Sequence, residues 1–181
     1  MESGFFILNI VAMEHTNEFL TLSRKVFSSY KSLGDKAFLQ VKDDEINQFQ
    51  GSSSNSIALI VKHLKGNMLS RWTDFLTTDG EKENRNRDTE FEGKLLNKKE
   101  MIELWEEGWA CLFSALDSLA PNDLDKTVYI RREAHTVQEA IIRQIAHYSY
   151  HVGQIVYLAK AFRGEQWKSL SIPKGKSEEY K

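Results

Sequence analysis

Two of the five histidines are spaced so that one metal ion could bind both. His147 and His151 lie four residues apart in a segment with helical periodicity, so their rings project from one helix face, one turn apart. Two imidazoles at this spacing can share a divalent cation at metal–nitrogen distances of about 2.0–2.1 Å. The same spacing also occurs in pairs of exposed surface histidines. The pair therefore suggests a metal site but needs a further ligand from elsewhere in the chain.

His63, on another predicted helix, occupies a comparable position. An α-helix turns by about 100° per residue, which places His147 and His151 beside the apolar stripe of their helix. His63 lies at a similar angle, on the same side of the stripe of its own helix. Such positions border a cleft between neighbouring helices, and helical bundles build metal sites from facing helices. We therefore predict that His63, His147 and His151 bind one divalent metal ion.

Further polar residues lie on the same two flanks. Asn67 and Arg71 follow His63 at successive turns, while Arg143 and Gln154 bracket the histidine pair. Such side chains either meet solvent at the edge of the core or bind a substrate, bind a metal-bound water, or orient a histidine by a hydrogen bond. We retain Asn67, Arg71 and Gln154 as candidate substrate-binding or supporting residues.

Other chemical motifs are weaker. The sequence contains neither the His-Glu-x-x-His motif of zinc proteases nor the Glu-x-x-His motif of di-iron bundles. His15 precedes the first apolar stripe and is predicted to be structural or exposed. His135 directly precedes a helix cap, which makes it a helix-entry residue first and a spare ligand second. Cys111 is the single cysteine and lies in an apolar run, which favours a buried, unreactive thiol.

Four segments carry apolar residues at steps of three and four, which is typical of helices with one buried face. The stripes consist of Phe19, Leu22, Val26, Tyr30, Leu33 and Ala37; of Ile57, Ile60, Val61, Leu64, Met68, Trp72 and Phe75; of Met101, Leu104, Trp105, Gly108, Leu112, Ala115 and Leu119; and of Ile141, Ile145, Tyr148, Val152, Ile155 and Ala159. The fourth spacing suits the shallow crossing angles of a four-helix bundle. The sequence therefore predicts an all-α, four-helix-bundle fold.

The connections between these stripes also carry local signals. The polar stretch 77–94 predicts a long crossover loop, which is either a lid or contact surface or a solvated connection. Asn97, three residues before Glu100, predicts the start of the third helix. A β-like piece over 127–131 precedes the fourth helix, where Thr136 and Glu139 form the pattern of a capping box.

Length, charge and hydropathy exclude several classes of protein. The 181 residues can fill one core, and the net charge of −2 with scattered Lys and Arg lacks the basic patch of a nucleic-acid binder. The apolar run 5–13 is too short to cross a bilayer, which takes about 20 residues, and acidic residues flank it, unlike a signal peptide. We expect a cytoplasmic protein with one domain over 1–181, an apolar lead-in over 1–13 and an extended tail over 165–181.

Several segments resemble a known superfamily. The run 147–155, His-Tyr-Ser-Tyr-His-Val-Gly-Gln-Ile, is similar to the end of the last bundle helix in the DinB-like superfamily of candidate metalloenzymes. Segments 55–64, 66–75, 105–109 and 169–179 resemble one subfamily, a DinB-like domain of unknown function. The resemblance covers nearly the whole chain from about residue 19 onward.

The resemblance implies a fold, a metal site and a class of activity. It implies a four-helix bundle with a long crossover, often a homodimer, with one metal ligand from the second helix and two from the fourth. These positions are His63, His147 and His151 in this chain, zinc or nickel is the usual metal, and water or substrate completes the coordination. Relatives of known activity transfer low-molecular-weight thiols or use them as cofactors.

Three functional hypotheses follow. A site of three neutral nitrogens with an open position favours metal-assisted nucleophilic chemistry, in which a bound thiol or water attacks a small electrophilic substrate, as in a thiol (S-)transferase. The alternatives are a non-catalytic metal-binding stress or interaction protein and a metal-dependent hydrolase. Tyr148 and Tyr150 are near the pair, but the sequence assigns no general base.

Overall fold

The computed structural model describes residues 2–51, 54–91 and 95–180, with side chains described from residue 18 onward. The described elements are the helices α1 (Glu2–Phe38), α2 (Ile57–Trp72), α3 (Lys98–Ser118) and α4 (Val137–Arg163), the strands β1 (Thr127–Ile130) and β2 (Glu133–Thr136), and short 3₁₀ turns at Asp88–Phe91, Pro121–Asp123, Gly164–Gln166 and Ser177–Tyr180. The predicted helical class is confirmed. The chain also forms a two-stranded antiparallel sheet, whose first strand lies within the predicted β-like piece over 127–131.

Side-chain caps define where three of the helices begin. The Ser56 hydroxyl accepts a hydrogen bond from the third backbone N–H of α2. Asn97 and Glu100 form a reciprocal capping box at α3, as Thr136 and Glu139 do at α4, so both predicted starts are confirmed. Each box satisfies two backbone N–H groups that a helix start would otherwise leave unpaired. α1 begins at Glu2 and so includes residues 2–13, which we expected to lead into that helix.

The apolar stripes pack into one core, in which α2 contacts α3 and α4, and α1 contacts α4 and α3. Phe27 of α1 is fully buried and lies against the rings of Trp72, Trp109 and Tyr148. The buried face of α1 is therefore rotated from the predicted stripe. Leu22, which was assigned to that stripe, is 50% exposed, and Phe27, which was not, is fully buried. The other stripes supply most of the remaining core.

The β-like piece at 127–131 is the first strand of a hairpin. β1 pairs with β2 in antiparallel register, and only Arg131 and Arg132 connect them. Both have positive φ angles, 56° and 66°, in the left-handed region that residues other than glycine rarely adopt. The carboxylate of Asp79 accepts hydrogen bonds from both of their backbone N–H groups, at 2.8 and 2.7 Å. Asp79 thus stabilises a turn that the residues in it disfavour.

The described part of the polar stretch 77–94 folds against α2 and the hairpin. The N–H of Gly80 donates to the Tyr129 carbonyl of β1 at 2.7 Å, and the Ser70 hydroxyl of α2 donates to the Gly80 carbonyl at 2.8 Å. Ser70 also accepts from the N–H of Lys82 at 3.1 Å. These bonds fix the path of the chain toward the 3₁₀ turn at Asp88–Phe91, which packs beside α2.

The tail after α4 contains two short 3₁₀ turns and contacts the helical core. Trp167 and Leu170 are partly buried against that core. The Gln40 side chain pairs with both the N–H and the carbonyl of Lys168, at 2.7 and 3.0 Å. Among the described residues, no helix is both long enough and apolar enough to span a membrane.

Candidate metal centre

The fold brings the three predicted ligands together. His63 of α2 and His147 and His151 of α4 each offer a ring nitrogen, and these three atoms lie within 4.8 Å of one another. The ring centroid of His151 lies 4.8 Å from that of His63 and 4.8 Å from that of His147. His63 is buried, with 5% of its surface exposed, and the other two are half-buried. One divalent cation could therefore bind all three side chains.

Burial keeps two of these histidines in the neutral form. Desolvation, together with the positive charges of neighbouring histidine and arginine side chains, lowers the pKa of His147 to about 3. Desolvation lowers the pKa of His151 to about 4, although its bond to Gln154 acts in the opposite direction. A neutral imidazole carries the free lone pair that a cation needs. Both side chains are therefore ready to coordinate at neutral pH.

Gln154 orients His151. The Gln154 Oε1 atom lies 2.8 Å from Nδ1 of His151, one helical turn earlier. An amide oxygen can only accept, so Nδ1 carries the proton in this pair. The Nε2 atom of His151 is buried and has no hydrogen-bonding partner. A buried ring nitrogen without a partner is costly, and a bound cation would satisfy it.

A carboxylate that the sequence analysis missed contacts His63. The Oε2 atom of Glu90 lies 2.9 Å from Nδ1 of His63, and Glu90 itself is buried. Arg85 donates to both oxygens of this carboxylate, from Nε at 2.8 Å and from Nη2 at 3.0 Å. Burial alone would raise the pKa of Glu90, but the hydrogen bonds from His63 and Arg85 hold it below its ordinary value. Glu90 is therefore an anion beside the histidine cluster.

Comparison with known proteins places the chain in a family. The model of a family described as "Protein of unknown function (DUF1572)" matches residues 14–176. The chain belongs to this family. Neither the curated proteins nor the solved structures searched contain a match to it. In this member of the family, the three histidines, Glu90 and Gln154 all lie within the matched region.

Two of the predicted supporting residues of this family member bond elsewhere. Asn67 accepts a hydrogen bond from the buried Tyr148 hydroxyl at 3.0 Å, and that hydroxyl accepts from Trp72 Nε1 at 3.1 Å. Arg71 donates to the Gly80 carbonyl and lies 3.4 Å from the Glu81 carboxylate. These contacts join α2 to α4 and to the loop. Among the described contacts, neither side chain forms a hydrogen bond with a histidine ring, and their predicted part in substrate binding stays a prediction.

The structure gives the surroundings of three further residues that the sequence analysis weighed, Arg143, His135 and Cys111. Arg143 is exposed, whereas its neighbour Gln144 is buried and its Oε1 atom has no partner. His135 lies on β2 with its Nε2 atom 3.7 Å from the Glu133 carboxylate. Cys111 is half-buried instead of buried, because a surface cavity of about 460 Å³ lies beside it. The side chain of His15 lies outside the described residues.

Two exposed aromatic rings lie against the histidines. Phe91 stacks on His63 at 5.3 Å between ring centroids. The ring of Tyr150 lies 4.2 Å from that of His151 and 5.3 Å from that of His147. Phe91 is 39% exposed and Tyr150 is 53% exposed. They form an aromatic rim, Phe91 and Tyr150, between the histidine cluster and solvent.

Proposed function

We propose that His63, His147 and His151 bind one divalent cation, zinc or nickel, within a DinB-like four-helix bundle. The observation that carries this proposal is the convergence of three ring nitrogens within 4.8 Å from two helices. The unpartnered Nε2 atom of His151 and the depressed pKa values of His147 and His151 fit a borderline cation that prefers nitrogen donors. The side-by-side packing of α1 to α4 and the family match support the bundle.

We further propose that the centre serves nucleophilic chemistry, of the thiol (S-)transferase kind, on a small electrophile. A cation held by three neutral ligands with an open position lowers the pKa of a bound thiol or water. The sulfur would form the new bond to the electrophilic atom, the leaving group would depart with its electron pair, and the thiol proton would pass to solvent. The aromatic rim gives an incoming substrate an apolar contact surface.

The protein's own groups limit where a general base could come from. Tyr148 is fully buried, and its hydroxyl is engaged by Trp72 and Asn67. Burial raises its pKa well above the ordinary value, which keeps the phenol protonated. Burial also raises the pKa of Tyr150. Neither tyrosine is a base at neutral pH, so metal-assisted deprotonation of the bound nucleophile is the route that the site favours.

The fully engaged Tyr148 hydroxyl also fits the second candidate function, a non-catalytic metal-binding stress or interaction protein. Purified protein loaded with zinc or nickel separates the two functions when it is assayed with thiols, including low-molecular-weight cofactor thiols, and with electrophile and ester panels. Turnover of an electrophile that requires both metal and thiol supports the transferase. Turnover of esters without thiol supports a hydrolase. Tight metal binding with no turnover in either panel supports the non-catalytic alternative.

A homodimer, which the family resemblance implies, is tested by sedimentation.

The metal site itself is tested by one substitution and a matched control. We expect the purified chain to bind one zinc or nickel ion, and His147→Ala to weaken binding by at least about tenfold, since even supporting groups are worth 10–100-fold. His135→Ala is the control, because His135 lies on β2 outside the cluster. Isothermal titration and elemental analysis measure both. Equal metal content in wild type and His147→Ala would refute the proposed site.

A further inference from the structure

We infer that Glu90 is a positioning residue of the proposed metal site, which holds His63 as the Nδ1–H tautomer with Nε2 directed toward the cation, and that Arg85 fixes Glu90 in that position. This inference rests on the proposed function, because it names the group that prepares one of its three ligands. Glu90 lies in the polar stretch 77–94, where helical periodicity could not reveal it.

The contacts around Glu90 are those of a fixed acceptor. Its Oε2 atom lies 2.9 Å from His63 Nδ1, and its two oxygens receive Nε and Nη2 of Arg85 at 2.8 and 3.0 Å. The Glu90 and Arg85 side chains are only 9% and 5% exposed. An ionised carboxylate can only accept hydrogen bonds, so the proton of the His63 contact lies on Nδ1. Nε2 is then the nitrogen left for a metal.

The surrounding backbone leaves room for this carboxylate at one glycine. A Cβ atom at Gly66 of α2 would overlap the Glu90 carboxylate. Gly66 lies one turn after His63, and its missing side chain lets Glu90 approach both α2 and the His63 ring. A glycine inside a helix is unfavourable relative to alanine. At Gly66, space for the Glu90 carboxylate therefore outweighs helix propensity.

Glu90 acts on His63 instead of serving as a fourth ligand, because its oxygens are already occupied. Oε1 receives Arg85 Nε, and Oε2 receives both Arg85 Nη2 and His63 Nδ1. Binding a cation directly would compete with the bidentate Arg85 pair and leave the buried guanidinium with its single contact to Glu81. Carboxylates that accept from the second nitrogen of a metal-bound histidine fix its tautomer and increase its basicity as a ligand.

Glu81 provides a matched control in the same network. Its carboxylate lies 3.3 Å from Arg85 Nη1, 3.4 Å from Arg71 Nη2 and 3.0 Å from Arg131 Nε. Glu81 thus contacts Arg85 as Glu90 does, but its ion-pair partners among the described residues are all arginines. Glu81→Gln removes the same charge from the same segment. A purely structural or long-range electrostatic role would therefore affect both variants alike.

The test compares Glu90→Gln with Glu81→Gln in the full chain, with zinc alone as the probe in competition with a chelator. We expect Glu90→Gln to weaken zinc binding 10–100-fold and Glu81→Gln to change it by less than about threefold. Nitrogen-15 NMR of the metal-free protein supplies a second readout. Glu90→Gln should shift His63 toward the Nε2–H tautomer, because an amide accepts more weakly and can donate to Nδ1.

Each outcome decides a separate point. Wild-type affinity and an unchanged His63 tautomer in Glu90→Gln overturn the inference, as do equal losses in both variants. A loss of zinc affinity far beyond 100-fold, with a bound-cobalt absorption spectrum in the variant that differs from that of wild type, would identify Glu90 as a ligand and also overturn it. If wild type binds no zinc, the proposed function fails, while the tautomer still tests the action of Glu90 on His63. If Glu90→Gln does not fold, Arg85→Lys replaces it, with an intermediate loss expected because the bidentate contact is lost.

Discussion

Burial keeps His147 and His151 neutral, as cation binding requires, and it makes the folded protein less stable in acid. Their pKa values of about 3 and about 4 lie below the ordinary value of 6.5, so both rings are neutral at pH 7. In the unfolded chain the same rings regain their ordinary pKa and bind protons below pH 6.5. The unfolded state then binds more protons than the folded state, so the free energy of unfolding decreases as the pH is lowered.

The metal-free protein should therefore lose stability as the pH falls from about 6.5 toward 3. The contribution of both rings is complete above pH 6.5 and declines progressively below it, reaching its limit only when the folded protein itself is protonated. Urea denaturation at pH 7, 5.5 and 4.5 measures the slope. A His147→Gln, His151→Gln double variant should show a shallower dependence on pH. An identical slope in the variant would contradict this account of the two histidines.

The Tyr148 hydroxyl joins two buried polar side chains of the core. Its hydroxyl accepts from Trp72 and donates to Asn67. Tyr148→Phe should lower the free energy of unfolding by about 1–3 kcal/mol, because both partners lose a buried hydrogen bond. Denaturant titration measures the change. Tyr157→Phe on the same helix is the control, since Tyr157 is 65% exposed and its change should stay within about 0.5 kcal/mol.

The histidine cluster was predictable from the sequence, whereas its supporting carboxylate was not. His63, His147 and His151 lie on helices, where the angle of each residue to the apolar stripe can be calculated from its number. Glu90 lies in a non-periodic stretch, so only the folded path of the chain reveals that it reaches His63. The orienting role of Gln154 was within reach because it lies one turn from His151.

At the level of elements, α2 and α3 approach each other closely at Gly108. A Cβ atom there would lie 2.9 Å from Met68 Sδ and 3.2 Å from Lys65 Cα. Gly108→Ala should therefore destabilise the protein by about 1–3 kcal/mol through overpacking, despite the better helix propensity of alanine. Gly153→Ala on α4 should instead stabilise it by up to about 1 kcal/mol, since an added Cβ there meets no atom within 4 Å.

Thermal or urea unfolding of the two variants gives the measurement. Equal effects of Gly108→Ala and Gly153→Ala would show that the approach of α2 to α3 is not limiting. The comparison is informative because both glycines lie inside helices and receive the same methyl group. Only the atoms that the methyl group meets differ between them.

The elements that sequence reasoning missed depend on contacts distant along the chain. Arg131 and Arg132 carry no turn signal, and their positive φ angles are compensated by Asp79, which lies far upstream. The hairpin was therefore not predictable from residues 127–136 alone. The face of α1 was misassigned for a related reason. Its stripe has several apolar residues at helical spacing, and only packing against Trp72 and Trp109 selects Phe27.

Across the whole molecule, the charged side chains are less dispersed than the sequence suggests. Arg85 pairs with Glu81 and Glu90, and Glu81 pairs in turn with Arg71 and Arg131. This network connects the hairpin, the loop and α2 to the histidine cluster. The sequence left two interpretations of the stretch 77–94 open, a lid or contact surface and a solvated connection. Its described part packs on α2 and β1 of the same chain, and the choice between the two interpretations stays open.

The distribution of the three histidines between α2 and α4 has a consequence for the order of events during synthesis. His63 precedes His147 by more than eighty residues, and ribosomes add about 5–20 residues per second. Several seconds therefore pass between the translation of the first ligand and that of the second. A cation could be held by all three only after α4 has docked on α2. Metal binding by all three histidines would then be a late step of folding, because it requires α4 to be packed against α2.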